Sequence, residues 1–332
     1  MLKYLYVIPL LWLFSCGNNQ KPAAESQKPE EITVKSPDFN ADSAYRFVSE
    51  QVAFGPRVPN TKAHQKCADY LAAKLKSFGA EVIVQKAVVR TFDDKDLNMS
   101  NIIGSFNKDN PSRIMLCSHW DTRPFADHDP DPKKYNTPID GANDGASGVG
   151  TLLEVARLLS KNNPGIGIDI IFFDAEDYGQ PQDKEPQKED TWCLGSQYWS
   201  KNPHVADYKA NFGILLDMTG AKDAVFLKEG YSMQFAPDIV DKVWNVAYRL
   251  GYSSYFPDKD GGFVTDDHLY VNQIRKFPVI DIIHQDQSGA HSFFEHWHTT
   301  HDNMEHIGQA TLKAVGQTLM QVIFETAPQP AS

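Results

Sequence analysis

The chain has 332 residues, with 43 acidic against 32 basic side chains, a net charge of −11 and a pI near 5.4. That balance argues against nucleic acid as a partner. Of four cysteines, one sits at position 16, and the three left in the body (Cys67, Cys117 and Cys193) are an odd set that builds no disulfide framework.

Met1-Leu2-Lys3 leads into an apolar run over residues 4–14, followed by Ser15-Cys16-Gly17. A basic start, a short apolar core and small residues at a cut site make a secretory signal over residues 1–15, too short for a comfortable membrane span. Leu13-Phe14-Ser15-Cys16 resembles a bacterial lipobox, in which the cysteine is lipidated and becomes the new N-terminus. The plainer reading is a cleaved signal with an incidental cysteine. A polar stretch over residues 17–35 follows at once and favours the lipoprotein, because it has nothing to bury and should act as a disordered tether. Residues 16–37 are therefore assigned to lipidated Cys16 and its tether. The expected location is exported and lipid-anchored in the bacterial cell envelope, periplasm-facing or on the outer membrane.

The remaining residues, 38–328, fit one large domain, with no linker, repeat or second composition regime. Asp42 can cap a helix over residues 42–54, ended by Gly55-Pro56; a second helix starts near Thr61 and stops at Gly79. Residues 81–92 and 99–106 read as strands, and 113–117 as a short buried one. Residues 146–159 are helical. Residues 168–173 are apolar throughout, as a strand covered on both faces should be. Strands over 212–216 and 279–283 and helices over 236–250 and 309–324 complete the series. Strands alternating with helices imply an α/β single domain: a mostly parallel, mixed central sheet covered by helices on both faces.

Acids and histidines stand at the ends of these strands, where ligands gather in such sheets. Ile170-Ile171-Phe172-Phe173 delivers Asp174-Ala175-Glu176-Asp177. Adjacent side chains point apart, so one acid can hold a metal while the other faces a substrate and moves a proton. Alone, such a pair is no more than a solvated acidic turn. The pattern recurs, however: Met115-Leu116-Cys117 delivers Ser118-His119-Trp120-Asp121, Ile214-Leu215-Leu216 delivers Asp217, and Asp144 lies in a Gly-rich turn into a helix. Together with Trp297-His298, this set points to a zinc site with a built-in general base.

Taken in order, Phe54-Gly55-Pro56-Arg57-Val58-Pro59, Ser118-His119-Trp120-Asp121, Asp144-Gly145-Ala146-Ser147-Gly148, Phe173-Asp174-Ala175-Glu176-Asp177, Leu216-Asp217 and Trp297-His298-Thr299 resemble the zinc aminopeptidase-like superfamily. Within it the chain is similar to the glutaminyl-peptide cyclotransferases of the animal type, also found in Bacteroidetes, through Asp121-Thr122 with Phe125, Asp266-Asp267-His268 and residues 297–303. The resemblance implies an α/β/α sandwich and a single zinc ion held by Asp144, Asp177 and His298. It implies Glu176 as the proton-transferring carboxylate and Asp217 and Asp266 as acids hydrogen-bonded near it. Trp192 and Trp297 would wall the substrate pocket. Asp177 stands where animal members carry Glu, and the long polar loop over residues 180–190 departs from their pattern. Cys117 matches a cysteine that is disulfide-bonded in animal members, but the partner position is Val149, which leaves Cys117 a free, buried thiol.

The implied reaction closes an N-terminal glutamine into pyroglutamate with release of ammonia, on peptide or protein substrates, by a monomer that meets the membrane only through its lipid. A two-zinc aminopeptidase remains the alternative, because His119 and Asp217 would supply a second zinc bridged by Asp144, and the ligand types alone do not decide. The tryptophans and Asp266-Asp267-His268 lean to the cyclase. A non-enzymatic binding domain would show eroded ligands or a missing base, and neither is seen. His296, His301 and His306 crowd His298, and spacing alone does not say which binds metal. His301-Asp302 reads as shaping its loop, His64 as a surface residue of its helix, residues 252–256 as packing, and residues 258–262 as a turn.

Overall fold

The computed structural model describes residues 34–286 and 292–327; the signal-like segment 1–15, Cys16 and most of the tether lie outside the described residues. Two strands, β1 (Glu81–Arg90) and β2 (Asp96–Phe106), are joined by a turn too short for a crossover and therefore pair antiparallel. β3 (Arg113–His119), β4 (Gly167–Phe173), β5 (Gly213–Asp217) and β6 (Val279–Ile283) all run parallel. β2 meets β4 antiparallel, giving the order β1-β2-β4-β3-β5-β6. The sheet is mixed, and its parallel part carries the strand exits from which the candidate residues project.

Alternation along the strands divides the core into two layers. Ile168, Ile170 and Phe172 of β4, with Leu116, Ile214 and Ile282, join the larger cluster formed with helices α1 (Ala41–Val52), α2 (Lys62–Ser77), α3 (Ala146–Leu159), α6 (Pro237–Arg249) and α8 (Gln309–Thr326). Ile171 and Phe173, with Met115, Cys117 and Leu215, face the other way onto Trp199 of α4 (Leu194–Lys201), Tyr208 and Val271. Every residue of β4 is buried, which explains its unbroken apolar run. Asp169 is the exception in type. Its carboxylate is held by Arg113 Nε and Nη2 at 2.5 and 2.9 Å and by the Tyr208 hydroxyl at 2.7 Å, so the charge is paired and hydrogen-bonded where it is buried.

Several boundaries differ from the sequence reading for local reasons. The first helix is capped by Asn40, whose Oδ1 accepts from the Ser43 N–H, and not by Asp42, which falls in the first turn. The short helices α4, α5 (Gly230–Phe235) and α7 (Asp267–Tyr270) went unpredicted because none spans enough turns to show a 3.6-residue repeat. His64 is not a surface residue. It is 4% exposed, stacks on Trp120 with ring centres 4.4 Å apart, and places Nε2 2.9 Å from both oxygens of Asp174. Asp174 is wholly buried at the exit of β4 and requires a partner; α2, packed over β2, brings His64 to it. Cys117 is free and buried, and Phe256 packs between Phe226 and Trp244, as expected.

α3 reaches the sheet closely because its first turns are small. A Cβ on Gly148 would lie 2.4 Å from Ser118 Oγ and 2.5 Å from the Leu216 carbonyl oxygen, so α3 would have to lift off β3 and β5. Gly148→Ala is expected to destabilise the protein by about 1–3 kcal/mol, the usual cost of overpacking, despite alanine's better helix propensity; denaturant titration measures it, and an unchanged or raised midpoint would refute the close-packing account.

Candidate metal centre and pocket

The strand exits meet over the parallel part of the sheet. His119 ends β3, Asp217 ends β5, and Glu176 and Asp177 follow β4 through Ala175, whose φ of +54° turns the chain sharply out of the sheet. Asp121 fixes that turn: its two carboxylate oxygens accept from the N–H groups of Glu176 (3.1 Å) and Asp177 (3.2 Å). Asp144 sits in the loop before α3. The oxygens of the Asp302 carboxylate accept from the N–H groups of Asn143 (2.8 Å) and Asp144 (2.9 Å), so this residue does shape a loop, but the loop is the one that carries Asp144. His298 lies near the end of the chain with φ +55°.

The structure brings Asp144, Asp177 and His298 together, with one donor atom of each within 4.8 Å of the others. His298 Nε2 lies 3.2 Å from Asp177 Oδ1 and 3.6 Å from Asp144 Oδ2. Among the described residues, Asp144 Oδ2 and both oxygens of Asp177 are buried without a hydrogen-bond partner, which is costly unless a cation sits among them. Two carboxylates and an imidazole converging with unfilled lone pairs form a donor set that suits zinc. A second group, His119, Asp144 and Asp217, meets the same distance criterion and shares Asp144. There His119 Nε2 lies 3.0 Å from Asp144 Oδ1 and 3.1 Å from Asp217 Oδ1, so the imidazole is shared between the two carboxylates. Of the histidines that crowd His298, His296 and His306 lie against each other, ring centres 3.9 Å apart and tilted, and belong to neither group.

The electrostatics reflect the crowding of these buried acids. Burial pushes Asp177 up to about 6, with Asp144 adding to it, and pushes Asp217 up to about 7, with His119 opposing and Asp266 reinforcing. Burial also drives Glu176 well above the carboxylate range, against the pull of His119 and helped by Asp266 and Asp177. Asp144 resists its burial because His119 and His298 stand beside it, and it falls below the usual range.

The pocket is a cavity of about 240 Å³ lined by Asp144, Glu176, Asp177, Asp217, Asp266 and His298 at its floor and by Trp192, Trp297, Phe263 and Phe293 around its walls. The Trp192 ring lies parallel to His298 at 5.8 Å and Trp297 stacks on it at 3.8 Å. Trp192 fits only because residue 179 is glycine: a Cβ there would stand 1.8 Å from the indole Cδ2. Arg123, fully buried, holds much of this together. Its guanidinium lies 4.5 Å over Trp192, donates to the carbonyls of Asp177 and Gly179, and pairs with Asp127 through two 2.7 Å bonds. Asp127 in turn lies 3.5 Å from His298 Nδ1. Between Arg123 and His298 the Asp127 carboxylate is held far below its usual range, against its burial.

Sequence reasoning placed all of the floor residues and both tryptophans, but it missed Arg123, Asp127 and Cys193. The Cys193 thiol lies against Glu176, with Sγ 3.2 Å from Oε1. Arg123 directly follows the quoted Asp121-Thr122 and could have been noticed as a cation beside acids. Nothing local marks Cys193.

Comparison with known proteins bears on this geometry. The model of Peptidase family M28 matches residues 101–323. A glutaminyl cyclase of Bacteroides thetaiotaomicron, solved bound to N-acetylhistamine, is 57% identical, with a TM-score of 0.86 over 87% of this chain and 99% of that one. A Zn-dependent exopeptidase of Parabacteroides distasonis is 56% identical, with a TM-score of 0.87 over the same 87% and 99%. The glutaminyl-peptide cyclotransferase of Bos taurus is 26% identical over 266 residues, or 69% of this chain and 66% of its own length.

The two bonds from Asp302 generate a prediction. Asn at position 302 offers a single acceptor and sets an N–H₂ group against one of the two backbone donors. Asp302→Asn is expected to weaken zinc binding by about 10–100-fold, the usual effect of removing an outer-shell partner, as read by competition with a chromogenic chelator. Unchanged affinity would show that the Asp144 loop holds its shape without Asp302.

Proposed function

The chain belongs to Peptidase family M28, and from that premise we propose that it is a zinc-dependent glutaminyl cyclase, converting the N-terminal glutamine of peptides and proteins to pyroglutamate with release of ammonia. The observation that carries this is the pairing of a two-carboxylate, one-imidazole metal tripod with a carboxylate outside it, Glu176, in a small pocket walled by two tryptophans. About 240 Å³ is below the ~300–1,000 Å³ of sites for drug-sized ligands. It suits a single residue folded back on itself better than a run of peptide subsites.

Asp144, Asp177 and His298 would hold the zinc ion, which when bound would supply Lewis acidity for the side-chain amide oxygen. The chain's own groups do the rest. The α-amine attacks the δ-carbonyl carbon of the same residue, the N–C bond closes the five-membered lactam, and the bond to the amide nitrogen breaks. Glu176 takes a proton from the attacking amine and returns one to the leaving nitrogen, which departs as ammonia. A buried carboxylate whose affinity for protons is raised is suited to both halves of that exchange. Asp217 and Asp266 line the floor beside it and orient the amine. Trp192 and Trp297, fixed against His298, hold the flexible side chain bent toward its own amine and so reduce the entropic cost of ring closure.

One zinc per chain is proposed because His119 already binds Asp144 to Asp217 by hydrogen bonds, which holds those two carboxylates together without a second ion. The second reading, a two-zinc aminopeptidase, is favoured by the same residues: His119, Asp144 and Asp217 have the spacing of a second metal group. The enzyme is proposed to act as a monomer, exported and lipid-anchored at Cys16 in the cell envelope; the lipobox-like Leu13-Phe14-Ser15-Cys16 supports that placement.

Ammonia release from a glutamine-initiated dipeptide amide, run beside leucine p-nitroanilide, tests the activity. The expected result is chelator-sensitive ammonia release, no anilide cleavage, one zinc per chain by elemental analysis, and a loss of at least about 100-fold in Glu176→Gln. Anilide cleavage with two ions per chain would establish the peptidase instead. For the anchor, Cys16→Ala should shift the protein from the membrane fraction to the soluble one, and a soluble wild-type protein would exclude lipidation.

A further inference from the structure

Cys193 occupies a backbone conformation that a residue with a Cβ rarely adopts. Its φ is +57° and ψ +35°, at the entry to α4, where glycine or asparagine would sit without strain. A left-handed non-glycine residue persists only where its surroundings over-determine it, and such outliers gather at functional sites. Here the surroundings are the turn that carries Glu176. The Cys193 N–H donates to the Glu176 carbonyl and the Leu194 N–H to the Ala175 carbonyl, both at 3.0 Å, so the two left-handed turns are laced back to back. The side chain closes the loop, with Sγ 3.2 Å from Glu176 Oε1 and no solvent exposure. Among the described residues, that thiol is the group hydrogen-bonded to the Glu176 carboxylate. An Asp266 oxygen lies within 4.8 Å of both, so the thiol is close to two acids of the pocket floor.

We propose that Cys193 is a positioning residue for the reaction: its S–H, donated to Oε1, locks the rotamer of Glu176 and leaves Oε2 as the oxygen that exchanges protons with substrate. The inference rests on the role given to Glu176. A thiol suits the task because it is a weak donor. It fixes direction without drawing off the carboxylate's basicity, whereas a strong donor such as an ammonium or guanidinium would lower it. Burial, with Glu176 and two nearby aspartates, pushes Cys193 well above the usual thiol range, so the group stays a donor. The same burial makes it a poor nucleophile, which separates it from cysteines that react with substrate.

The test compares Cys193→Ala, Cys193→Gly and Cys193→Ser with wild type in the full chain, with zinc content and melting temperature measured for each. Cys193→Gly removes the thiol and relieves the left-handed strain but leaves a small cavity, so the turnover of each variant is read beside its melting temperature and zinc content. The expected result is that the Ala and Gly variants lose about tenfold in kcat with KM little changed, and that the Ser variant, which restores a donor, recovers most of it. A second readout is the infrared S–H stretching band assigned by difference against Cys193→Ala: it should move when Glu176→Gln replaces the carboxyl acceptor with an amide. Wild-type kcat in Ala or Gly, no recovery in Ser, or an S–H band indifferent to Glu176→Gln would each overturn the proposal. If Glu176→Gln itself keeps full turnover, the role of Glu176 fails; if it is inactive while Cys193→Ala is not, only the positioning role fails.

Discussion

Carboxylates gathered in a buried crevice repel one another and have given up their water, so they must be compensated where they stand. Asp144, Asp177, Asp217, Glu176 and Asp266 line one floor, and the surrounding architecture can be understood as the answer to that constraint. His119 sits between Asp144 and Asp217, His298 between Asp144 and Asp177, and Arg123 reaches Asp177 from behind. These groups do not satisfy Asp177 or the outer oxygen of Asp144, and it is there that zinc fits. A cation bound there would compensate the floor before it took any part in chemistry.

The fold makes this crowding affordable through where its chain leaves the sheet. Parallel strands aim their carboxyl ends in one direction, so β3, β4 and β5 each deliver acids or histidine to the same side. The antiparallel pair β1 and β2 lies beyond β4 and sends none of the floor residues there, although β2 and its neighbour α2 supply the shell around Asp174. A second layer of polar groups then aims the first: Asp121 for the Glu176-Asp177 turn, Asp302 for the Asp144 loop, Asp127 for His298. Each lies in a different loop from the residue it orients, which ties together a floor built largely from loops.

What could be read in the sequence divides along the same line. Apolar runs ending in acids are local, and they pointed to β3, β4 and β5 and to the floor residues at their exits. The Gly-rich turn before α3 was legible because small residues there have a steric reason, visible at Gly148. The second layer was not legible, since a buried acid such as Asp174 or Asp302 looks no different in sequence from a solvated one, and its partner comes from a distant element. His64 misled for that reason: in the first turn of α2 it has the appearance of a surface residue, and only the packing of α2 over β2 brings it to Asp174. Cys193 is the extreme case, because its meaning lies in a φ angle and in a contact with Glu176, and neither leaves a mark on residue type.

The tripod's three members come from the loop before α3, the exit of β4 and the last loop of the chain, and they meet only when nearly all of the sheet is built. An unfolded or half-folded chain therefore offers no comparable site, and the free energy of metal binding is added almost entirely to the native state. Metal capture and folding stability are thereby linked. Where zinc is scarce the native state loses that added stability, so that metal supply would bear on how long the folded protein lasts as well as on how much of it is active.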